Sequence, residues 1–245
     1  MTRRLSIDWP DARPFAGREG RPIRILAASD EPDPALERST NRDALGSIDL
    51  VVGCGDLSPD WLCFLGDAFR APLVYVRGNH DRQGPWPTPD DLPPPAAGAD
   101  DRVLDGLPVV ALPWPSFRKD AAPRDEKDAW LQVTRLAPGL ALHRRPPVLV
   151  VSHAPPRDAG DTPTDAYHVG FAGYRVIADR LRPPLWLHGH TNPAAQADWR
   201  TTIGPTTVVN VTGSVLVGLR RSGDASGKRR PSPGRLRPPE PPGRP

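Results

Sequence analysis

Short apolar runs recur along this chain, and polar or turn-forming residues bound each of them. Continuous runs of this length, rich in valine, leucine and isoleucine, are typical of strands that are buried on both faces. The pattern therefore predicts an α/β protein. The predicted strands are Ile23–Ala28, Leu50–Cys54, Leu73–Val76, Val109–Leu112, Val148–Val151, Leu185–Leu187 and Val208–Val211.

Helical patterns fall between these runs. The strongest begins at Ser58-Pro59-Asp60, where serine suits the N-cap, proline the first helical position and an acid the first turn. This helix is predicted to continue to about Phe69. Further helices are predicted over Ala129–Leu136 and Gly173–Leu181, with a weaker one over Asp33–Leu45.

The two ends of the chain differ in composition from its middle. Residues 1–21 are polar and are expected to form a flexible segment. Residues 220–245 carry eight basic and two acidic residues, and seven of the last fifteen residues are proline. Such a segment cannot bury enough apolar surface to fold, so we expect a disordered tail. The domain is expected to span residues 22–219.

Polar side chains that can bind metal follow several of the predicted strands. In α/β proteins the carboxyl ends of strands converge on one edge, where ligands bind. The ligand atoms are nitrogen and oxygen without thiolate, which suits Mn²⁺, Fe or Zn²⁺ in a catalytic site. The residues in these positions are Asp30, Asp56, Asn79, His80, His153 and His190.

The order of these residues resembles the calcineurin-like metallophosphoesterase superfamily along residues 22–214. The resemblance rests on Asp30, Gly55-Asp56, Gly78-Asn79-His80-Asp81, His153 and Gly189-His190, with Ser152–Pro156 and Asn210–Ser214 as supporting segments. It implies a two-sheet β-sandwich flanked by helices, a four-layer fold with two metal ions at the strand ends.

The resemblance also implies a role for each residue of the series. Asp56 would bridge both metals, and Asp30 would belong to one of the two sites. His80 would face the leaving group, and Asp81 would orient His80. The ligands that complete the other site would be Asn79, His153 and His190.

The chain departs from the family pattern at two positions, and both affect the site of Asp30. Asp30-Glu31-Pro32 stands where the family has Asp-x-His, and Gly189-His190-Thr191-Asn192 stands where it has Gly-His-x-His. Three interpretations remain open. The Asp30 site binds Mg²⁺ or Mn²⁺ through oxygens that include Asn192; the protein works with one tightly held metal; or it binds a phosphate ligand or partner without catalysis.

The expected function is metal-dependent hydrolysis of a phosphomonoester or phosphodiester, and the alternative is a catalytically impaired binding or regulatory protein. The expected cofactor is one or two divalent ions, Mn²⁺ first, with Fe, Zn²⁺ or Mg²⁺ as alternatives. The expected partner is a small phosphorylated substrate, with nucleic acid left open and oligomeric state undetermined. No signal peptide or membrane segment is visible, so we expect a cytoplasmic location.

Overall fold

The structure is a computed structural model that describes residues 2–82, 92–100, 104, 106–115, 125–141, 147–192 and 198–223. The strands are β1 (Arg3–Trp9), β2 (Ile23–Ser29), β3 (Leu50–Gly53), β4 (Leu73–Tyr75), β5 (Gly98–Asp100), β6 (Val109–Leu112), β7 (Leu149–Ser152), β8 (Leu185–His188), β9 (Arg200–Ile203), β10 (Thr206–Asn210) and β11 (Gly213–Arg221). The α-helices are α1 (Ser39–Leu45), α2 (Pro59–Phe69), α3 (Glu126–Ala141) and α4 (Ala172–Leu181).

The strands form two mixed sheets. The first has the order β1-β11-β2-β3-β4, and the second has the order β5-β6-β7-β8-β10-β9. Strands β2, β3 and β4 run in parallel, as do β6, β7, β8 and β10. Each sheet therefore carries its parallel strand ends at one edge, and the loops that follow those strands meet there.

The helices and the two sheets form four layers, and apolar clusters fill the spaces between adjacent layers. Apolar side chains between the two sheets form the largest buried cluster, which includes Ile25, Val52 and Val151. A second cluster joins the outer face of the second sheet to α3 and α4, and a third joins the outer face of the first sheet to α2. The predicted fold class, a two-sheet sandwich flanked by helices, is confirmed.

The N-terminal residues differ from the expectation of a flexible segment over residues 1–21. Arg3–Trp9 form β1, which pairs in parallel with β11 over its whole length. Alternate side chains of β1 point between the sheets, and Trp9 is fully buried there. The sequence signal is the alternation of Leu5, Ile7 and Trp9 with polar residues, which is weak because only three apolar positions carry it.

The C-terminal boundary also differs slightly from the prediction, because β11 continues to Arg221. Residues 224–245, most of the predicted tail, lie outside the described residues. Disorder of the tail therefore stays a prediction. The first sheet extends beyond both predicted domain limits, through β1 before residue 22 and through the end of β11 after residue 219.

The predicted helices are present, except that the weakest is split into two elements. Helices α2, α3 and α4 cover the three stronger predictions. The weaker one over Asp33–Leu45 is split into a 3₁₀ turn at Pro34–Glu37 and α1, because Arg38 is extended between them. None of the described helices combines the length and apolarity that crossing a bilayer requires.

Replacing Ser58 with alanine should destabilise the protein modestly. The Ser58 hydroxyl accepts a hydrogen bond from the Trp61 amide at 3.2 Å, which satisfies one of the free donors at the start of α2. Loss of such a cap costs about 1 kcal/mol. Urea unfolding of Ser58→Ala should show this decrease, whereas Ser47→Ala, at an exposed loop serine, should match the wild type. Equal stability of all three proteins would contradict the assigned cap.

Candidate metal centre

Three candidate ligands from both sheets meet at the shared edge. Asp30 follows β2, Asp56 follows β3 and His153 follows β7. Each residue offers one ligand atom, and these three atoms all lie within 4.8 Å of one another. Two carboxylates and an imidazole at this spacing can surround a single divalent cation, so the strand ends create a candidate metal centre.

The backbone around this centre adopts an unusual conformation. Asp30, Asp56 and His190 all have left-handed backbones, with φ values of 61°, 55° and 66°. A non-glycine residue rarely takes this conformation, and residues held in it cluster at functional sites. Asp30 directly follows β2, and Asp56 and His190 come within three residues of the ends of β3 and β8, so this conformation falls at the strand ends that carry candidate ligands.

Two glycines allow these turns to approach one another. A Cβ atom on Gly78 would lie 2.1 Å from Asp56 Oδ1, and one on Gly189 would lie 1.9 Å from the Ser29 hydroxyl and 2.4 Å from Asp30 Oδ2. Neither position has room for a side chain. The carboxylates of Asp30 and Asp56 therefore pack directly against backbone.

His153 is held in one orientation by its neighbours. It is fully buried, and its Nδ1 lies 2.8 Å from the carbonyl oxygen of Cys54. Its Nε2 lies 2.8 Å from Asn79 Oδ1 and 3.1 Å from Asp56 Oδ2. A backbone carbonyl that accepts from Nδ1 directs Nε2 toward the ligand oxygens, which is the usual support of a metal-binding histidine.

Asp56 and His153 shift each other's pKa. Burial by itself raises the pKa of the Asp56 carboxyl, but the contact with His153 and the amide of His80 outweigh it and hold that pKa below its usual value. Burial likewise opposes the charge of His153, and the bond to Asp56 outweighs it, so the pKa of His153 is raised. Asp56 therefore offers a negative charge at the middle of the cluster.

His190 lies beside this group without joining it. Its amide donates to both carboxylate oxygens of Asp30, at 3.2 and 3.0 Å, and its ring centroid lies 5.0 Å from that of His153. Its Nε2 lies 2.8 Å from the carbonyl oxygen of Tyr167. Burial, followed by the charge of His153, lowers the pKa of His190 to about 3, so the ring is a neutral imidazole able to bind a cation.

His80 lies on the solvent side of the cluster. Its amide donates to Asp56 Oδ1 at 2.9 Å, which fixes its backbone against the centre. Its side chain is 79% exposed, and its Nε2 lies 4.0 Å from Asp56 Oδ2. An imidazole in this place can reach a ligand that approaches the carboxylates from solvent.

The predicted role of Asp81 needs a correction. Its carboxylate does not bond to the ring of His80 in the part of the chain that the structure describes. Instead Asp81 Oδ2 accepts from the amides of Asp56 and Gly78, both at 2.8 Å. Asp81 thus joins the turn after β3 to the turn after β4 and positions Asp56 through the backbone. The role beside His80 was implied by the family resemblance, whereas the described contacts of the Asp81 carboxylate are with these two amides.

Sequence and structure comparisons support the family that the series of residues suggests. The sequence profile of the calcineurin-like phosphoesterases matches residues 35–193, which is more than half of the chain. The chain belongs to the calcineurin-like phosphoesterase family. Members of this family depend on divalent metals, and the cluster of Asp30, Asp56 and His153 is the candidate site for them.

One solved structure agrees with the fold, and others are weaker matches. One matches with a TM-score of 0.52 and 15% identity over 80% of this chain and 95% of its own. Phosphopantetheinyl hydrolase (PptH) from Mycobacterium tuberculosis matches with a TM-score of 0.48 and 16% identity over 81% and 96%. GAP50 of Plasmodium matches with 0.43 and 13% over 78% and 72%. No curated protein matches the chain.

The two positions that depart from the family pattern are both on the surface. Pro32 is exposed and follows Asp30 in a turn that leads away from β2. Asn192 is also exposed, so its role as a ligand stays a prediction. In place of the two histidines of the family pattern, the chain therefore has an exposed proline and an exposed asparagine.

The residues present fit a divalent cation. Asp56, His153 and Asn79 direct oxygen and nitrogen atoms at one another, and the glycines leave no side chain between the ligand-bearing turns. The donor set is a mixture of carboxylate, amide and imidazole without thiolate, which matches Mn²⁺, Fe or Zn²⁺.

One contact of the site was not expected from the sequence. The hydroxyl of Thr212 donates to Asp30 Oδ2 at 3.1 Å, and its amide donates to Asn210 Oδ1 at 2.9 Å. Thr212 thereby positions the carboxylate of Asp30 from 182 residues away in the sequence. The resemblance of Asn210–Ser214 to a family segment was the available signal, but it did not indicate which side chain makes the contact.

Proposed function

We propose that this protein hydrolyses a phosphomonoester or phosphodiester of a small molecule with the help of bound divalent metal. The observation that carries the proposal is the cluster of Asp30, Asp56 and His153 at the shared sheet edge, with the exposed imidazole of His80 beside it. Membership of a phosphoesterase family supports the reaction class, and the polar edge supports an anionic substrate bound through cations.

The metal ligands in this proposal come from the strand ends of both sheets. Mn²⁺ is the proposed ion, with Fe, Zn²⁺ or Mg²⁺ as alternatives and one or two ions per chain. When bound, the metal polarises phosphoryl oxygens and lowers the pKa of a coordinated water. The proposed ligands are Asp30, Asp56, Asn79, His153 and His190, and Asn192 is a further candidate.

Residues of the chain position the Asp56 carboxylate and supply a proton. Asp81 holds the turns that carry Asp56 and Gly78, so the carboxylate is presented in a fixed direction. His80 Nε2 is the proposed donor of a proton to the leaving oxygen, because its ring is exposed beside Asp56. General acid assistance of this kind contributes about 10²–10⁴ in rate.

The proposed location of the reaction is the cytoplasm.

Replacing His80 with alanine should lower kcat by about 10²–10³ while metal content and thermal stability stay at the wild-type level. Stability is preserved because the side chain is exposed and the backbone bond to Asp56 remains. The assay uses nitrophenyl phosphate and bis-nitrophenyl phosphate with Mn²⁺, Mg²⁺, Zn²⁺ or Fe²⁺. The function is wrong if the wild type forms no product with any of these ions.

A pair of substrates isolates the role of the proton. Phenolate is a poorer leaving group than nitrophenolate, so it needs protonation more. The loss in His80→Ala should therefore be greater for a phenyl ester than for a nitrophenyl ester. An equal loss for both esters would assign His80 to substrate binding instead of proton donation.

A further inference from the structure

Arg3 reaches the metal-bearing edge from the N-terminal strand. Strand β1 runs parallel to β11, and the start of β11 pairs with the end of β2, where Gly213 faces Ser29. The first residues of β1 therefore lie at the same edge as Asp30. Arg3 shares its side of β1 with Leu5, Ile7 and Trp9, so its side chain is on the face between the sheets.

The guanidinium of Arg3 is fixed in place by two contacts. One terminal nitrogen donates to the carbonyl oxygen of Thr212 at 2.5 Å. The guanidinium carbon also lies 5.1 Å from the centroid of the Trp199 ring, in a cation–π contact. Arg200 approaches the same ring at 5.8 Å, so two positive charges flank one indole.

Most side-chain N–H donors of Arg3 have no partner among the described residues. Among the residues that the structure describes, Arg3 forms no salt bridge, and the only hydrogen bond of its side chain is the one to Thr212. Burial lowers its pKa, and the charge of Asp33 opposes this effect. Asp33 does not neutralise it by direct contact, since its carboxylate accepts from the Ala35 amide and the Ser214 hydroxyl.

Arg3 and the metal centre contact the same residue. Thr212 binds Arg3 through its carbonyl oxygen and Asp30 through its hydroxyl. The guanidinium of Arg3, with N–H donors that no described residue occupies, is therefore linked to the carboxylate of Asp30 through a single residue, Thr212. Arginine forks of this type bind phosphate oxygens in pairs, with geometric selectivity that a lysine cannot match.

We propose that Arg3 binds a second phosphate group of the substrate, so that the substrate class is a bisphosphate or a phosphoanhydride rather than a simple monoester. This inference rests on the proposed function, because it assumes that a first phosphoryl group lies at the metal centre. Arg3 would be a specificity residue. Its guanidinium would donate to the phosphate that is not attacked and would thereby orient the phosphate that is attacked.

The test compares two anions that differ by one phosphate-like group. Mn²⁺-loaded full-length protein is titrated with inorganic phosphate and with methylenebisphosphonate, and titrations into buffer with the same Mn²⁺ correct for chelation. The wild type should bind the bisphosphonate at least about tenfold more tightly, as expected for charge-assisted hydrogen bonds. In Arg3→Gln this preference should disappear while phosphate affinity changes by less than about twofold.

Arg4→Gln is the matched control. Arg4 is the next residue of β1, it is exposed, and its guanidinium donates to the Ala44 carbonyl on the outer face of the sheet. This variant should keep the preference of the wild type. Arg3→Lys, which keeps the charge without the fork, should retain only part of it. If Arg3→Gln unfolds, the Arg3→Lys titration still decides the question.

Failure of this inference can be told apart from failure of the proposed function. A wild type that hydrolyses nitrophenyl esters but binds both anions equally, or an Arg3→Gln protein that keeps the preference, overturns the role of Arg3 alone. Absence of hydrolysis with every metal removes the proposed function, whereas an anion preference that depends on Arg3 would still support an anion site at this position.

Discussion

Replacing Asp56 with asparagine is expected to remove bound metal and to lower kcat/KM by about 10⁴ or more. Asp56 lies in the middle of the cluster, with one oxygen 3.1 Å from His153 and the other accepting from the His80 amide. Asparagine has nearly the same shape and can still accept from that amide, so the turn should persist. What disappears is the negative charge that a cation requires.

The measurement is metal content by mass spectrometry together with steady-state kinetics. Asp67→Asn is the control, because Asp67 is an exposed carboxylate on α2, outside the candidate site. It should keep wild-type metal content and activity. An Asp56→Asn protein that retained its metal and turned over at the wild-type rate would show that the cluster is not the catalytic centre.

Replacing Gly189 with alanine is expected to disable the site through packing alone. The new Cβ would lie 1.9 Å from the Ser29 hydroxyl and 2.4 Å from Asp30 Oδ2. Ser29 cannot move easily, since it is fully buried and its hydroxyl lies 3.0 Å from the carbonyl oxygens of both Cys54 and Gly55. The turn after β8 would therefore have to separate from the end of β2, and Asp30 would be displaced.

The expected cost is about 3 kcal/mol of stability, as for severe overpacking, together with a loss of activity of about 10³. Urea unfolding and kinetics measure the two effects. Gly66→Ala is the control: it lies within α2 with nothing within 4 Å of the added atom, so it should stabilise the protein by about 0.5–1 kcal/mol. Wild-type stability and activity in Gly189→Ala would refute the close approach of the two turns.

The sequence predicted the interior of the fold better than its margins. The seven apolar runs all became strands, because a segment that is apolar on both faces can be buried only between other layers. Strand β1 was expected to be loose, since Leu5, Ile7 and Trp9 alone carry its pattern. Its stability depends on pairing with β11, which is more than 200 residues away and which local sequence does not indicate.

Three residues of the candidate site were predicted from the sequence, but their supporting contacts were not. Asp30, Asp56 and His153 were recognised from their position after apolar runs and from their order, and the structure brings them together. The resemblance implied that Asp81 orients His80, but its carboxylate instead accepts from the amides of Asp56 and Gly78.

The sequence by itself determined the fold class, the family and the set of chemically competent side chains, because apolar runs and the residues that end them are local properties. The tertiary structure alone decided that Thr212 holds Asp30, that Gly189 leaves space for that carboxylate, and that Arg3 contacts Thr212. Each of these contacts joins residues that are more than 150 positions apart in the sequence. Such contacts depend on how two sheets pack and register, which no short segment of the chain encodes.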